Sequence, residues 1–307
     1  MAYDITEANA VSTKYFDETM KESVYDASPF LSLIKSKNKI KIDGGTSIQF
    51  PVRLDPLGTA RKTGPRAQVP FQSKETRTAG ALDWAYYDAV AVSHWDERIY
   101  NSGKAKIINL LADKAKELSE DMADLLATTL WGTDTSGLIP IPTIVDASDT
   151  YAGITVASNS RWAAIEDSSS TVLTLNLLRH ARNQATFGKG MPTHHFTTRD
   201  LFSKLESLLE ARERLENKDF QEIGYMSLSL YGAGVVADPF ISSGDWFGLN
   251  MKEFELFMRE ELKASDWFTL EQAGYPNAMA KYLSGVMQLV CHERRTSFKF
   301  TALDYTL

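Results

Sequence analysis

Arg53–Gly80 reads RLDPLGTARKTGPRAQVPFQSKETRTAG, 28 residues with almost nothing to bury. The stretch holds six cations (Arg53, Arg61, Lys62, Arg66, Lys74, Arg77) against two acids (Asp55, Glu75). Pro56, Pro65 and Pro70, with Gly58 and Gly64, exclude any long helix. Loops this long are uncommon inside compact domains and are usually functional or disordered. The flanks argue against disorder. TSIQFPV (Thr46–Val52) follows the turn signal Asp43-Gly44-Gly45, and ALDWAYYDAVAVSHW (Ala81–Trp95) is rich in aromatic and β-branched residues, so both read as strands. The stretch is predicted to be an arm held at both ends by ordered structure.

Around the arm the chain is ordinary globular material: 307 residues, 43% hydrophobic and 24% charged, with a net charge of −7. The acidic balance speaks against a dedicated nucleic-acid binder, which would normally be basic. One cysteine, Cys291, excludes an intramolecular disulfide framework and suits a reducing compartment. The opening MAYDITEANAVSTKYF lacks the basic-then-apolar pattern of a secretory signal. No apolar segment approaches the roughly 20 residues needed to span a bilayer. A soluble protein made in a cytoplasm, with no membrane partner, is expected.

The clearest periodicity lies in NSGKAKIINLLADKAKELSEDMADLLATTLWG (Asn101–Gly132). Ile107, Leu111, Ala115, Leu118, Met122 and Leu125 form one apolar stripe on a helix of about 27 residues, near 40 Å long. Gly132 stands where a C-terminal cap is expected, and Lys104–Leu130 is the predicted span. Before the arm, ASPFLSLIKS (Ala27–Ser36) reads as an arm or short helix lying on something else. After the helix come a loop with short strands and a helical stripe of Leu175, Leu178 and Ala185 ended by Gly188. A strand then turns into a helix at a capping pattern, Thr197-x-x-Asp200, with Leu201, Leu205, Leu208 and Leu215 behind it. Met226, Leu228 and Leu230 alternate before a turn at Gly232-Ala-Gly234, and Lys281–Leu307 reads as two strands around a turn at His292–Thr296. The chain is α+β, with one dominant helix and no internal repeat.

No motif specifies a reaction. Ser32-x-x-Lys35 with Lys62-Thr63-Gly64 superficially matches serine acyl-transfer enzymes, but the two motifs lie too close together and no Ser-Asp-Asn element stands between them. His194-His195 lies in an apparent strand, where neighbouring side chains point to opposite faces and cannot easily share a metal; Cys291-His292 has the same problem. Gly232-x-Gly234 lacks the third glycine of a dinucleotide site. Trp84, Tyr86 and Tyr87 fit a sheet core or subunit contact better than a base-stacking platform. No catalytic, metal or cofactor residue is assigned.

The order of elements is itself informative. KIDGGTSIQFPV enters the excursion; AVAVSHWDERIYNSGKAKIINLLADKAKELSEDMADLL leads into the helix; WGTDTSGLIPIPTIV, LYGAGVVADPF and GVMQLVCHERRTSFKFTAL follow. This succession resembles the major capsid proteins of tailed bacteriophages, with the Hong Kong 97-type coat-protein fold, over nearly the whole chain. The resemblance implies an N-terminal arm (1–45), an extended β-hairpin loop with flanking strands (46–95) and a peripheral domain with its spine helix (96–145). With about 14 residues per strand, that two-stranded arm would reach about 45 Å. A compact chain of this size has a radius of gyration near ~19 Å, and an isolated ribbon is marginal in water, so the arm requires another surface. An axial domain (146–258) and closing strands of the peripheral domain that end near the axial domain (259–307) complete it.

It also implies self-assembly through pentamers and hexamers into an icosahedral shell around double-stranded DNA, in a virion assembled in a bacterial cytoplasm. The partners would be other copies of the chain, a separate scaffolding protein, a portal and a possible cement protein, with non-specific contact to packaged DNA and no cofactor. Only some forty residues precede the first strand, which points to scaffolding supplied by another chain. An encapsulin-type nanocompartment shell is the alternative, and a serine acyl-transfer enzyme a remote one. In the capsid reading, the arm carries a charge of +4 and the remainder about −11. The basic arm is expected to lie on a neighbour's acids, with Asp96, Glu97, Asp113, Glu117, Glu120, Asp121 and Asp124 as candidates.

Overall fold

The computed structural model describes residues 28–37, 39–41, 45–64, 68, 71, 74–95, 97, 104–209, 227–270 and 275–305. Residues 1–27, and with them most of the expected N-terminal arm, lie outside the described residues, as do Arg66, Asp96, Leu215, Met226 and the side chain of Ile107. The architecture is α+β and rests on two larger sheets and a two-stranded ribbon.

The first sheet has five strands. Its axis is the long β12 (Tyr275–Cys291), flanked by β4 (Ala85–Ser93) on one side and by β10 (Phe254–Ala264) and β11 (Phe268–Leu270) on the other. β1 (Lys39–Lys41) adds in parallel to β10. The second sheet has six strands. In spatial order they are β5 (Ile165–Asp167), β13 (Phe298–Phe300), β9 (Trp246–Leu249), β6 (His194–Thr197), β8 (Ala233–Ala237) and β7 (Leu228–Leu230). The predicted closing pair is therefore real, but its members serve different sheets: β12 centres the first and β13 enters the second, with the turn Arg294–Thr296 between them.

The dominant helix α2 runs from Lys104 to Trp131, 28 residues or about 42 Å, and packs on β4 and β12. Ala115, Leu118 and Met122 are buried as the periodicity requires. The stripe then departs from the expectation: Leu125 is 46% exposed, and Ala123, Leu126, Ala127 and Leu130 are buried instead. Leu118→Asp would place an unpaired carboxylate in this seam, costing several kcal/mol by estimates for buried charge. We expect insoluble or unfolded protein. Lys116→Ala removes only an exposed pair with Glu120 and should leave the thermal midpoint nearly unchanged. Equal damage from both would refute this placement of the helix.

The short apolar segment before β1 is helix α1 (Pro29–Lys37), and it is no surface appendage. Phe30, Leu31, Leu33 and Ile34 are all buried, each burial contributing about 1.5–3 kcal/mol. The Phe30 ring packs edge-on against Trp131 of α2, Phe196 of β6 and Phe254 of β10, so α1 joins the long helix to both sheets. Beside it the buried Asp238 carboxylate accepts hydrogen bonds from Ser28 Oγ and from Trp131 Nε1. Burial raises its pKa despite those donors.

One face of the six-stranded sheet is covered by α4 (Leu175–Ala185) and α5 (Arg199–Leu209), which enclose a second core around Trp246, Phe298 and Phe300. The single-turn α3 (Ile141–Ile144) lies between α2 and α4 in the chain. The α5 start is one residue later than expected: Thr198 Oγ1 accepts the Leu201 N–H, while Thr197 stays in β6 and donates to Asp245 O. The turn between β7 and β8 falls on Tyr231-Gly232, both at positive φ, rather than on Gly232–Gly234. Two consecutive left-handed residues match the twist of a tight hairpin.

Candidate assembly surface

The excursion is anchored by a ribbon. β2 (Ser47–Arg53) and β3 (Arg77–Asp83) pair antiparallel over seven positions, from Ser47↔Asp83 to Arg53↔Arg77. Alternation buries Ile48, Phe50 and Val52 on one side. Phe50 meets His292 edge-on at 5.3 Å, and Ala81 N–H donates to Ala152 O. A Cβ at Gly80 would stand 2.8 Å from the Phe50 ring, so this crossing requires glycine. The base of the arm thus belongs to its own subunit.

The long aromatic strand of the sequence reading is two strands. It breaks at Trp84, whose indole donates to Gly45 O. β3 goes to the ribbon, and β4 pairs with β12 over nine positions from Ala85↔Met287 to Ser93↔Met279.

Beyond Arg53 and Arg77 the ladder stops. Leu54 and Asp55 both donate to Thr76 O, and no strand pairing follows among the described residues of 54–76. The ribbon is therefore about 23 Å long at 3.3 Å per residue, half the expected reach, and it ends in an irregular tip. Pro56 stands just beyond the last ladder bonds and cannot donate to a continuation. Within the tip Lys74 pairs with Asp55 at 3.1 Å and Arg61 donates to Gln68 O. Arg53, Lys62 and Arg77 are exposed without an ion-pair partner among the described residues. Leu57 is 51% exposed and Phe71 99% exposed. The charge pattern does not assign these two residues, although each stands as a lone large hydrophobe in a polar stretch.

The candidate acids divide. Glu97 bonds Lys114, whose ammonium also donates to Val92 O, and these contacts hold the Glu97 carboxyl below its ordinary range. Glu120 lies 3.5 Å from Lys116. Asp113, Glu117, Asp121 and Asp124 are exposed along the same face of α2, with no ion-pair partner among the described residues.

The five-stranded sheet has a second notable surface. Tyr87 points towards the α2 side, where its hydroxyl accepts the Leu138 N–H at 2.7 Å. Alternation then turns Tyr86 and Val90 to the other face. There Val90 pairs with Tyr282, and Phe268 packs edge-on against the Tyr282 ring at 5.9 Å. Tyr86, Val90, Tyr282 and Phe268 are all substantially exposed. They make an apolar stripe across β4, β12 and β11.

Residues weighed for chemistry are scattered. Ser32 is buried inside α1 and Lys62 stands in the exposed tip. His195 accepts the Trp246 indole N–H in the second core. Burial, with the charges of His194 and Arg182, pushes its imidazole down to about 3, so it is neutral. Cys291 is buried at the end of β12, and burial pushes its thiol up.

No protein-family model matches the chain, and no curated protein matches it by sequence. Solved structures do. The capsid asymmetric unit of cyanophage A-1(L) superposes with a TM-score of 0.67 at 17% identity, covering 90% of this chain and 92% of that one. The capsid of a native GTA particle gives 0.60 at 9% identity over 89% and 90%. A virus-like particle from Pyrococcus furiosus gives 0.53 at 11% identity over 94% and 98%. The ribbon, the long helix on its five-stranded sheet and the second, six-stranded sheet together make the Hong Kong 97-type coat-protein fold of tailed-phage major capsid proteins.

Proposed function

We propose that this chain is a major capsid protein, assembling through pentamers and hexamers into an icosahedral shell around double-stranded DNA. The observation that carries the reading is the tip. It exposes Leu57, Phe71 and a cationic surplus, and among the described residues its own subunit supplies no surface that covers them. In a closed assembly the neighbour does. The apolar stripe on β4, β12 and β11 offers a counterpart for the tip's apolar residues, and the acids along α2 offer one for its charge. In this reading the five-stranded sheet with α2 is the peripheral domain and the six-stranded sheet the axial domain. A scaffolding protein, a portal and a cement protein are the further partners that such a shell implies, and the virion is its location. The likeness to capsid structures supports a structural rather than an enzymatic role. An encapsulin-type shell uses the same building logic; the stronger structural likeness to phage capsids favours the capsid.

Microscopy of the purified protein tests the shell itself: closed particles or rings are expected, and a protein that stays monomeric under all assembly conditions would overturn the proposal. The electrostatic part has its own test. Exposed pairs contribute only about 0–1 kcal/mol each, so register and rate should depend on several together. Changing Arg61, Lys62 and Arg66 together to Glu should block assembly at low salt in light-scattering measurements. Wild-type assembly should slow as screening shortens from about 10 Å at 0.1 M salt to about 3 Å at 1 M. If the triple variant assembles at the wild-type rate across that range, docking is apolar and the acids of α2 have no part in it.

A further inference from the structure

We propose that the outward face of α4 and the turn after it form a contact surface for a nucleic-acid phosphate backbone. From Ser168 to Arg199 the chain has no aspartate or glutamate, although forty acids in 307 residues would place about four in such a stretch. The same segment contains Arg179, Arg182, Lys189 and Arg199. A net charge of −7 for the whole chain hides this local excess.

The fold leaves Arg179 on α4 and Lys189 just after it exposed. Leu178, Ala181 and Ala185 turn inward to the second core, which leaves Asn176, Arg179, His180 and Asn183 exposed at helical spacing, with Lys189 exposed in the following turn. Arg179 donates to Asn176 Oδ1 at 2.8 Å, which leaves that amide's N–H groups directed elsewhere. Neither Arg179 nor Lys189 has a carboxylate partner among the described residues.

This surface is therefore rich in donors and poor in acceptors, and it matches a ligand that offers only acceptors and negative charge. Arginine, lysine and side-chain amides are the groups that hold phosphates in protein–DNA contacts, without reading sequence. A neighbouring subunit's acids would satisfy the charge, but protein interfaces bury an apolar centre, and the exposed residues of α4 are all polar. The exposed apolar side chains beside it, Phe187 and Met191, each lie against a cation: Phe187 under the Arg295 guanidinium at 3.6 Å, and Met191 Sδ 3.8 Å from Arg182 Nη2. The inference rests on the shell reading, since the polyanion in question is the enclosed DNA. Two or three phosphate contacts per subunit would be weak singly, in the range of non-specific binding, and become effective by repetition over the inner wall.

The test uses the full-length protein before assembly, while this face is open to solvent, with a fluorescently labelled random-sequence DNA duplex read by anisotropy. Wild type should bind, with log affinity falling against log salt at a slope of about −2 to −3. R179E/K189E should weaken binding at least tenfold and flatten that slope, while R179K/K189R retains both. Shell yield by microscopy should be the same for all three. Unchanged DNA binding in R179E/K189E overturns the proposal. Loss of shells with DNA binding retained also overturns it, and assigns the face to contacts between copies. Unassembled wild-type protein that goes on to form shells yet does not bind the duplex refutes this inference alone and leaves the shell reading standing.

Discussion

Replacing residues 56–75 with a short Gly-Ser turn should leave a folded subunit that no longer forms shells. The ribbon from Ser47 to Arg53 and from Arg77 to Asp83 keeps every ladder bond, and Ile48, Phe50 and Val52 keep their buried contacts. What is lost is the exposed tip, including Leu57 and Phe71, which adds little to the stability of an isolated subunit. Circular dichroism and the thermal midpoint should stay close to wild type, while scattering and microscopy show no particles. If the shortened protein is unfolded, the tip packs on its own subunit and the proposed role is wrong. If it assembles normally, contacts between copies lie elsewhere.

Arg294→Ala should destabilise the subunit itself by about 3–5 kcal/mol, the range seen when a buried charged group's interactions are broken from one side. Arg294 is fully buried. Its guanidinium donates to the carbonyls of Ile144, Asp149, Thr143 and Asp146, and it lies over the rings of Tyr151 and Trp162. Removing it leaves buried carbonyls without donors, each at about 1–3 kcal/mol. Arg294→Lys should recover only part, because an ammonium cannot reach four carbonyls in a planar fork. Denaturant midpoints measure both, and a loss below 1 kcal/mol for Arg294→Ala would refute this account.

The neighbouring Lys299 reinforces the same loop through Pro142 O, Asp146 Oδ2 at 2.8 Å and Glu166 Oε1 at 3.1 Å. Burial alone would raise the Asp146 pKa. The Lys299 ammonium and the N–H groups of Ser148 and Asp149 more than reverse that and hold the carboxyl well below its usual range. A depressed pKa stabilises the fold fully above the unfolded value of about 3.9 and loses that contribution as pH falls through the folded value. Asp146→Asn should therefore be less stable than wild type at pH 7, and the gap should narrow below about pH 4.

Much of this architecture was legible because it rests on local pattern. The helix Lys104–Trp131 follows from its periodicity, and the tip from its prolines and glycines. The misreadings have tertiary causes. Leu125 and Leu126 are adjacent and equally apolar, so spacing could not show that the helix buries the second. Strand propensity runs unbroken through Trp84; only the indole's bond to Gly45, and two different pairing partners, divide β3 from β4. PFLSLI looked peripheral because it is short, yet it lacks a polar face and lies at the centre of the larger core. Arg294 and Lys299 carry no sequence mark of burial, although a lysine between Phe298 and Phe300 in a strand hints at a buried polar face. The candidate surface is half legible for a deeper reason: in the proposed shell the tip's partner belongs to another copy, and one chain's pattern records only the half that is left bare.

The order in which strands join the sheets has a consequence for synthesis. β12, the axis of the five-stranded sheet, and β13, inserted between β5 and β9 in the other, are both encoded after residue 274. The tip, by contrast, emerges from the ribosome early. A polypeptide interrupted before Tyr275 would carry the tip but lack the central strand of one sheet and an interior strand of the other, so it could not form the surfaces on which a neighbour's tip would rest. Both sheets close only by such long-range pairing, which is slow to form. The tip would thus be offered to neighbours before the subunit can receive one, and competence to join a shell would be the last property a nascent chain acquires. In the proposed shell, late closure of this kind would act as a proofreading step, keeping incomplete products out of a lattice in which one defective subunit disturbs every neighbour it touches.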